Sequence, residues 1–264
     1  DEVVAWALER GGVVVQRAWE KAQDVGTYDY AIDIVQTSWP LPTLENVGLA
    51  ATEERVYIEG QVDLPADTLE MRLWSEGGSA QTGQDSLEMR VAGDRAFGRI
   101  GGGQWEEVDD FTGLFAPGND PLGYLVSARN VVKGQTETRV GITFTRYSFQ
   151  VDGPAFASHM RAQMEDELRR KGQLPPGINL DLARVYLDMT GRGEIWLDGN
   201  GLPLRQIVHV TFPPDDHEQV EATIKTDFFN WGVGDPAEAS GASAPAQNGQ
   251  APGLQAILLI GFLG

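Results

Sequence analysis

Two periods alternate along this chain. In TYDYAIDIV, Tyr28, Tyr30, Ile32 and Ile34 alternate with Asp29, Ala31 and Asp33, which gives a strand one apolar and one mostly polar face. The same period of two returns over residues 55–64, 68–76, 86–93 and 94–100, and again over 140–152, 184–189, 192–198, 202–212 and 219–231. Gly77-Gly78, Gly83, Gly93-Asp94 and Gly101-Gly102-Gly103 fall between or at the ends of the earlier runs, where hairpin turns need positive φ. Asp198-Gly199-Asn200-Gly201 marks another hairpin. Helical spacing appears three times. Val4, Leu8, Val14, Val15, Ala18, Trp19 and Ala22 fit a helix over residues 1–25, interrupted by Gly11-Gly12, so a broken helix or two short ones is expected. Residues 121–132 fit a short helix with Asp120 as N-cap and Pro121 at its first position. Over residues 154–171, Phe156, Met160, Met164 and Leu168 form one stripe and Gly172 sits at the stop.

The sum is ten or eleven antiparallel strands in meander order with a few helices. That predicts an α+β fold: a large antiparallel sheet, long enough to curl into a half-open barrel and covered by helices. This folded part is expected to span residues 1–234. From 235 to 253 the chain turns to Ala, Gly, Pro and Ser with no aromatic residue. Such a linker cannot bury enough apolar surface to offset its ordering entropy and would span about 25 Å as a coil. Residues 254–264 then carry no charge. At 1.5 Å per residue they reach about 16 Å, half a bilayer core, and read either as a C-terminal segment that docks back on the domain or, preferred behind a stalk, as the start of a truncated membrane anchor. The chain starts at Asp1 without a leader and reads as a trimmed product.

Charge narrows the partners. With 20 Lys+Arg against 39 Asp+Glu, the formal net charge is −19, which argues against nucleic acid and anionic headgroups as partners. The chain has no Cys, so disulfides, thiolate nucleophiles and Cys-ligated metals drop out. His159, His209 and His217 stand at no metal-ligand spacing. The glycine triplet at 101–103 is followed by no Lys-Ser/Thr, so it is a hairpin and not a phosphate loop. Asp198-Gly199-Asn200-Gly201 resembles the start of a calcium loop, but His209 occupies the position of the bidentate Glu. The acid clusters Glu53-Glu54, 106–110 and 215–218 sit at turns, where charge keeps hairpin ends solvated. No cofactor, metal or catalytic residue is expected, and the chain is read as a non-enzyme.

Trp74, Phe97, Trp105, Phe144, Trp196 and Phe228 are read as falling on the apolar side of their strands. A sheet that curls without filling its interior leaves a pocket for a lipophilic ligand. The expected ligand-binding residues are Tyr30, Ile32, Ile34, Leu69, Met71 and Leu73 on strands and Phe156, Met160 and Met164 on the helix stripe.

Three stretches carry a family resemblance: KAQDVGTYDYAIDIV, AFGRIGGGQWEEV and GEIWLDGNGLPLRQIVHV. Together they resemble the LolA/LolB and LppX/LprG superfamily of bacterial envelope proteins, over residues 1 to about 232. The resemblance implies an unclosed barrel covered by helices that carries lipid or lipoprotein, and RseB-type sensors share the fold. Lipoproteins of that superfamily are tethered through an N-terminal lipidated Cys. Here the C-terminal apolar run suggests a different tether. The expected function is therefore an extracytoplasmic, membrane-anchored domain binding a lipid or acyl chain. The alternative is an envelope sensor or structural subunit that binds another envelope protein through a filled version of the same fold. Glycan binding or hydrolysis is a third reading, and it predicts exposed aromatics beside paired carboxylates.

Overall fold

The computed structural model describes residues 2–75, 86–93, 95–108 and 121–233. The linker and the apolar segment expected at 235–253 and 254–264 lie outside these, as do Asp120 and the glycine turns at 77–78 and 83. Helix α1 (Glu2–Val25) leads into strand β1 (Thr27–Pro40), followed by β2 (Thr52–Asp63), β3 (Thr68–Ser75), β4 (Leu87–Ala92), β5 (Arg95–Ile100) and the two-residue β6 (Glu106–Glu107). A 3-10 turn (Gly123–Ser127) then feeds β7 (Ala128–Arg139) and β8 (Ile142–Asp152). Helix α2 (Gly153–Arg170), the single turn α3 (Arg184–Leu187), β9 (Thr190–Asp198), β10 (Pro203–Thr211) and β11 (Glu218–Phe229) complete the order.

The class is α+β, with one unclosed antiparallel sheet of eleven strands in the order β6-β5-β4-β3-β2-β1-β11-β10-β9-β8-β7. Every neighbour in that order is also a neighbour in sequence except β1 beside β11. The chain meanders outward from β1 to one edge, restarts at the other edge with β7, and returns until β11 pairs with β1. It divides into two compact units: residues 1–21, 36–53 and 122–224, and residues 22–35, 54–121 and 225–264.

Three expectations are corrected. Helix α1 continues through Gly11-Gly12 without a break. A glycine in a helix costs about 1 kcal/mol, and Val15, Ala18 and Ala22, spaced three and four apart, are fully buried, so packing outweighs propensity. Residues 121–132 form only the 3-10 turn, without a side-chain cap, and the chain is already extended from Ala128. Residues 184–187 form a helical turn where a strand was expected.

In the second unit the strand register sorts the residues into two faces. Ile58 pairs with Leu73, Val62 with Leu69, Leu73 with Leu87 and Leu69 with Val91, all on one apolar face. On the other face Glu59 opposes Arg72, Arg72 opposes Glu88 and Glu88 opposes Arg99. Glu88 accepts from Arg99 at 2.6 Å and lies 3.5 Å from Arg72, while Arg90–Glu70 and Arg95–Glu107 are bonded at 2.8 Å. The alternation read from the sequence is thus an apolar face backed by a ladder of ion pairs.

In the first unit β8, β9 and β10 share an apolar face on which Tyr147, Ile195 and Gln206 stand in one row and Phe149, Gly193 and Val208 in the next. Helix α2 starts where Asp152 Oδ1 accepts the N–H of Ala155 at 3.0 Å. It ends at Gly172, whose φ of +69° lets Gln173 N reach Leu168 O at 2.8 Å. Glu165, buried on α2, straps the following loop by accepting the N–H of Leu180 at 2.8 Å, with Arg169 bonded at 3.0 Å. Those donors, the Leu180 N–H first, hold its carboxyl below the usual range.

Candidate functional site

The six strand residues expected to meet a ligand share one face of the second unit. Tyr30 and Ile34 are buried and Ile32 half-buried on β1; Leu69 and Leu73 are buried on β3 with Met71 half-buried between them. The middle row of this face has a distinct composition. Across four strands Gly60 pairs with Met71, Met71 with Met89 and Met89 with Gly98. Two thioether side chains stand flanked by two residues that have none. A Cβ at Gly60 would come within 2.5 Å of the Tyr30 ring, so that ring fills the hollow over β2. A Cβ at Gly98 would meet Met89 Sδ at 3.3 Å. Methionine adapts to irregular neighbours more readily than branched residues do, which gives this row more freedom to repack than a row of branched residues would have. Burial pushes the Tyr30 phenol upward, keeping it neutral.

The three helix residues lie in the first unit. Phe156 and Met160 are buried on α2, whereas Met164 is 54% exposed. Phe156 stacks on Tyr124 with ring centroids 4.8 Å apart and meets Tyr186 edge-on at 5.4 Å. The Tyr124 hydroxyl is buried without a hydrogen-bond partner among the described residues. Burial first and Tyr186 second push its pKa up. Sequence reasoning missed Tyr124 and Tyr186 because nothing local brings positions so far apart together. It also missed Met89 and Gly60, although SLEMRVAG places Met89 in the same alternation as Leu87 and Val91.

Several aromatics expected on the apolar side stand on the other one. Trp74 pairs across strands with Tyr57, its ring stacked at 5.7 Å, and lies on the face of Arg72 and Glu88. Phe97 lies under Arg95, 4.8 Å from its ring centre. Trp105 is flanked by Arg99 at 4.6 Å and Arg90 at 5.2 Å. In the first unit Trp196 stacks on Phe144 at 4.5 Å beneath Arg205 at 4.9 Å, and its Nε1 donates to Glu194. The arginine guanidinium groups lie over these rings, so a large aromatic on the charged face is not left bare. Phe228, by contrast, is buried against Tyr28, centroids 6.0 Å apart.

The polar groups weighed as chemistry have structural partners. Asp215 Oδ1 accepts the N–H groups of His217 and Glu218 at 2.7 and 2.8 Å, which lowers its pKa. Glu107 forms part of β6 and pairs with Arg95. His209 bonds Thr223 at 2.9 Å, and burial lowers the pKa of His159 on α2. Asp198 Oδ1 accepts the N–H groups of Asn200 and Leu202, each at 2.8 Å, fixing the β9–β10 hairpin. Gly101 and Gly102, both at positive φ, turn the chain after β5. Among the described residues no cluster of His, Asp and Glu could hold a metal, and no helix is long and apolar enough to cross a membrane.

No known family model matches the chain, and no curated protein does. Among solved structures it is similar to the Mycobacterium tuberculosis lipoprotein LppX, at 11% identity and a TM-score of 0.45, over 87% of this chain and 99% of that one. It is also similar to LprF from Mycobacterium bovis, at 10% identity and a TM-score of 0.46, over 91% and 98% of the two chains. A DUF1329 family protein from Desulfovibrio piger matches at 10% identity and a TM-score of 0.28, over 86% and 94%.

Proposed function

We propose that this chain is a non-enzymatic, extracytoplasmic domain of the bacterial envelope that takes up a lipid or acyl chain and is tethered by its C-terminal segment. The observation that carries the reading is the Gly60–Met71–Met89–Gly98 row. An apolar face built for stability alone would fill that row with branched residues. Here two glycines, one covered by the Tyr30 ring and one by Met89 and Val108, flank two adaptable side chains, and Met71 and Ile32 are only half-buried. Tyr30, Ile34, Leu69 and Leu73 would border the ligand in the second unit; in the first unit the α2 stripe of Phe156, Met160 and Met164 would offer an apolar surface of its own. Binding would draw on apolar burial, about 25 cal/mol per Å², with little directional chemistry.

The deep burial of Tyr30, Leu69 and Leu73 favours a second reading: a filled interior, with the surface recognising another envelope protein as sensor or structural subunit. Native mass spectrometry of the full chain purified from an envelope fraction separates the two. A co-purifying acyl species, identified after extraction, is the expected result. A clean apo mass that does not change on adding fatty acid or phospholipid would overturn the lipid reading.

A further inference from the structure

The loop between β1 and β2 is built to present apolar side chains to the outside. Leu44 is 93% exposed, Val47 77% and Leu49 62%, and Trp39 at its base is also exposed. Exposure of that degree means the side chains stand clear of the protein, not in a groove. Yet the loop is ordered by specific bonds. Leu41 N donates to His217 O at 2.8 Å, and the Asn46 side-chain amide donates to the carbonyls of Leu41 at 2.9 Å and His217 at 2.7 Å. Thr43 N, Asn46 N and Leu49 N each donate to a carbonyl two or three residues back. Leu44 and Val47, three apart on that turn, therefore project from a fixed backbone. An apolar anchor held in place before contact loses little conformational entropy on binding.

The surrounding charge selects the occupant. Glu45 on the loop, Glu53 at the start of β2, and Asp215 and Asp216 on the turn the loop is bonded to are exposed carboxylates, with His217 4.0 Å from Glu45. Two loops of this kind face to face would set carboxylates against carboxylates, which disfavours a second copy, and an anionic bilayer is repelled likewise. A zwitterionic bilayer presents ammonium groups outermost and hydrocarbon beneath, the complement of carboxylates around a projecting apolar tip. An exposed Trp at the base of the tip suits the headgroup level. We infer that the 39–49 loop docks on a zwitterionic bilayer surface, with Leu44, Val47 and Leu49 entering it. This does not rest on lipid uptake by the interior: either can hold without the other.

Because the chain has no Cys, a single introduced thiol reports one position. The experiment labels Val47→Cys in the full chain with an environment-sensitive fluorophore and titrates vesicles of phosphatidylcholine and phosphatidylethanolamine. A parallel label at Val140→Cys, at the fully exposed β7–β8 hairpin tip, controls for tethering through any other segment. The expected result is a blue shift at 47, quenched by lipid-borne spin labels, with none at 140. In the same assay Leu44→Ser with Leu49→Ser should weaken partitioning about tenfold. Four results would overturn the inference: no shift at 47, an equal shift at both positions, preference for phosphatidylglycerol vesicles, or a lipid-independent shift that grows with protein concentration, which would indicate protein contact instead.

Discussion

The ring of Tyr30 lies against the backbone of Gly60 so closely that a Cβ there would sit 2.5 Å from both its Cζ and its hydroxyl oxygen. The same Cβ would come 2.7 Å from the carbonyl oxygen of Glu70 on the neighbouring strand. One obstacle is a ring that can turn aside; the other is backbone of β3. Gly60→Ala should therefore destabilise by about 2 kcal/mol, read as a drop in Tm of roughly 4–8 °C, and Tyr30→Leu should restore only part of it. Thermal denaturation of the two single variants and the double variant checks this.

Gly193 provides the contrast. The three atoms nearest a Cβ at that position, from 2.2 to 2.8 Å, all belong to the Phe149 ring. Gly193→Ala should cost about 2–3 kcal/mol in the wild-type background, and much less beside Phe149→Leu, because the obstacle is a side chain. A double-mutant cycle in urea should give a coupling of about 1 kcal/mol or more between 193 and 149. Additivity would mean that the two residues do not share this contact.

These two glycines show how far the fold was legible in the sequence. Period two placed β1 to β5 and β8 to β11 because one face of each is buried. It failed at β7, where most side chains are exposed and register breaks between Arg129 and Val132 and between Lys133 and Thr136 disrupt the alternation. An edge strand open on one side has no apolar face to print. Residues 184–187 failed for another reason: four residues, Arg-Val-Tyr-Leu, fit a strand or a helical turn equally well. Leu73 and Trp74 stand side by side, so apolar character alone could not say which faced inward; cross-strand register with Tyr57 decided it. Of the candidate site, Tyr30 and Met71 were readable from alternation. The Gly–Met–Met–Gly row was not, because it depends on register across four strands.

The ion pairs of the charged face should differ sharply in weight. Glu88 is buried and serves Arg99 and Arg72 together, whereas Glu70 and Arg90 are exposed and meet singly. Glu88→Ala leaves two guanidinium groups without that partner and should cost about 1–3 kcal/mol. Glu70→Ala should cost about 0.5 kcal/mol or less. Urea denaturation at low and at 0.5 M salt (about 4 Å of screening length) should shrink the second effect and leave most of the first.

Glu165 gives the fold an acid-sensitive strap. Its carboxyl titrates below the ordinary value because the Leu180 N–H and Arg169 favour the ionised form. A carboxylate with a depressed folded pKa contributes its stability above the unfolded pKa, about 4.3, and loses it as pH falls through the folded value. Hydrogen exchange at Leu180 should therefore be slow at pH 6 and faster, after correction for intrinsic rates, below pH 4. Glu165→Gln should remove that pH dependence while keeping a weaker acceptor for the N–H. An unchanged profile in the variant would show that another group drives the loss.

Ligand uptake should separate Met71 from its neighbour two residues on. Leu73 is buried and pairs with Ile58 and Leu87, so Leu73→Ala should cost about 2–5 kcal/mol and impair everything downstream of folding. Met71 is half-buried in the deformable row, so its side chain meets open space as well as protein. If that space receives an acyl chain, Met71→Gln should leave the melting temperature within a few degrees of wild type. It should still reduce displacement of a bound fluorescent fatty acid about tenfold, since a polar group would stand where an apolar chain must lie. Met71→Leu should retain uptake but restrict it to fewer chain shapes, because a branched side chain adapts less. Equal uptake by Met71→Gln and wild type would remove the row from the site and shift weight to the filled-interior reading. Loss of uptake in parallel with loss of stability would show only that the fold is needed, which is why the two substitutions must be measured side by side.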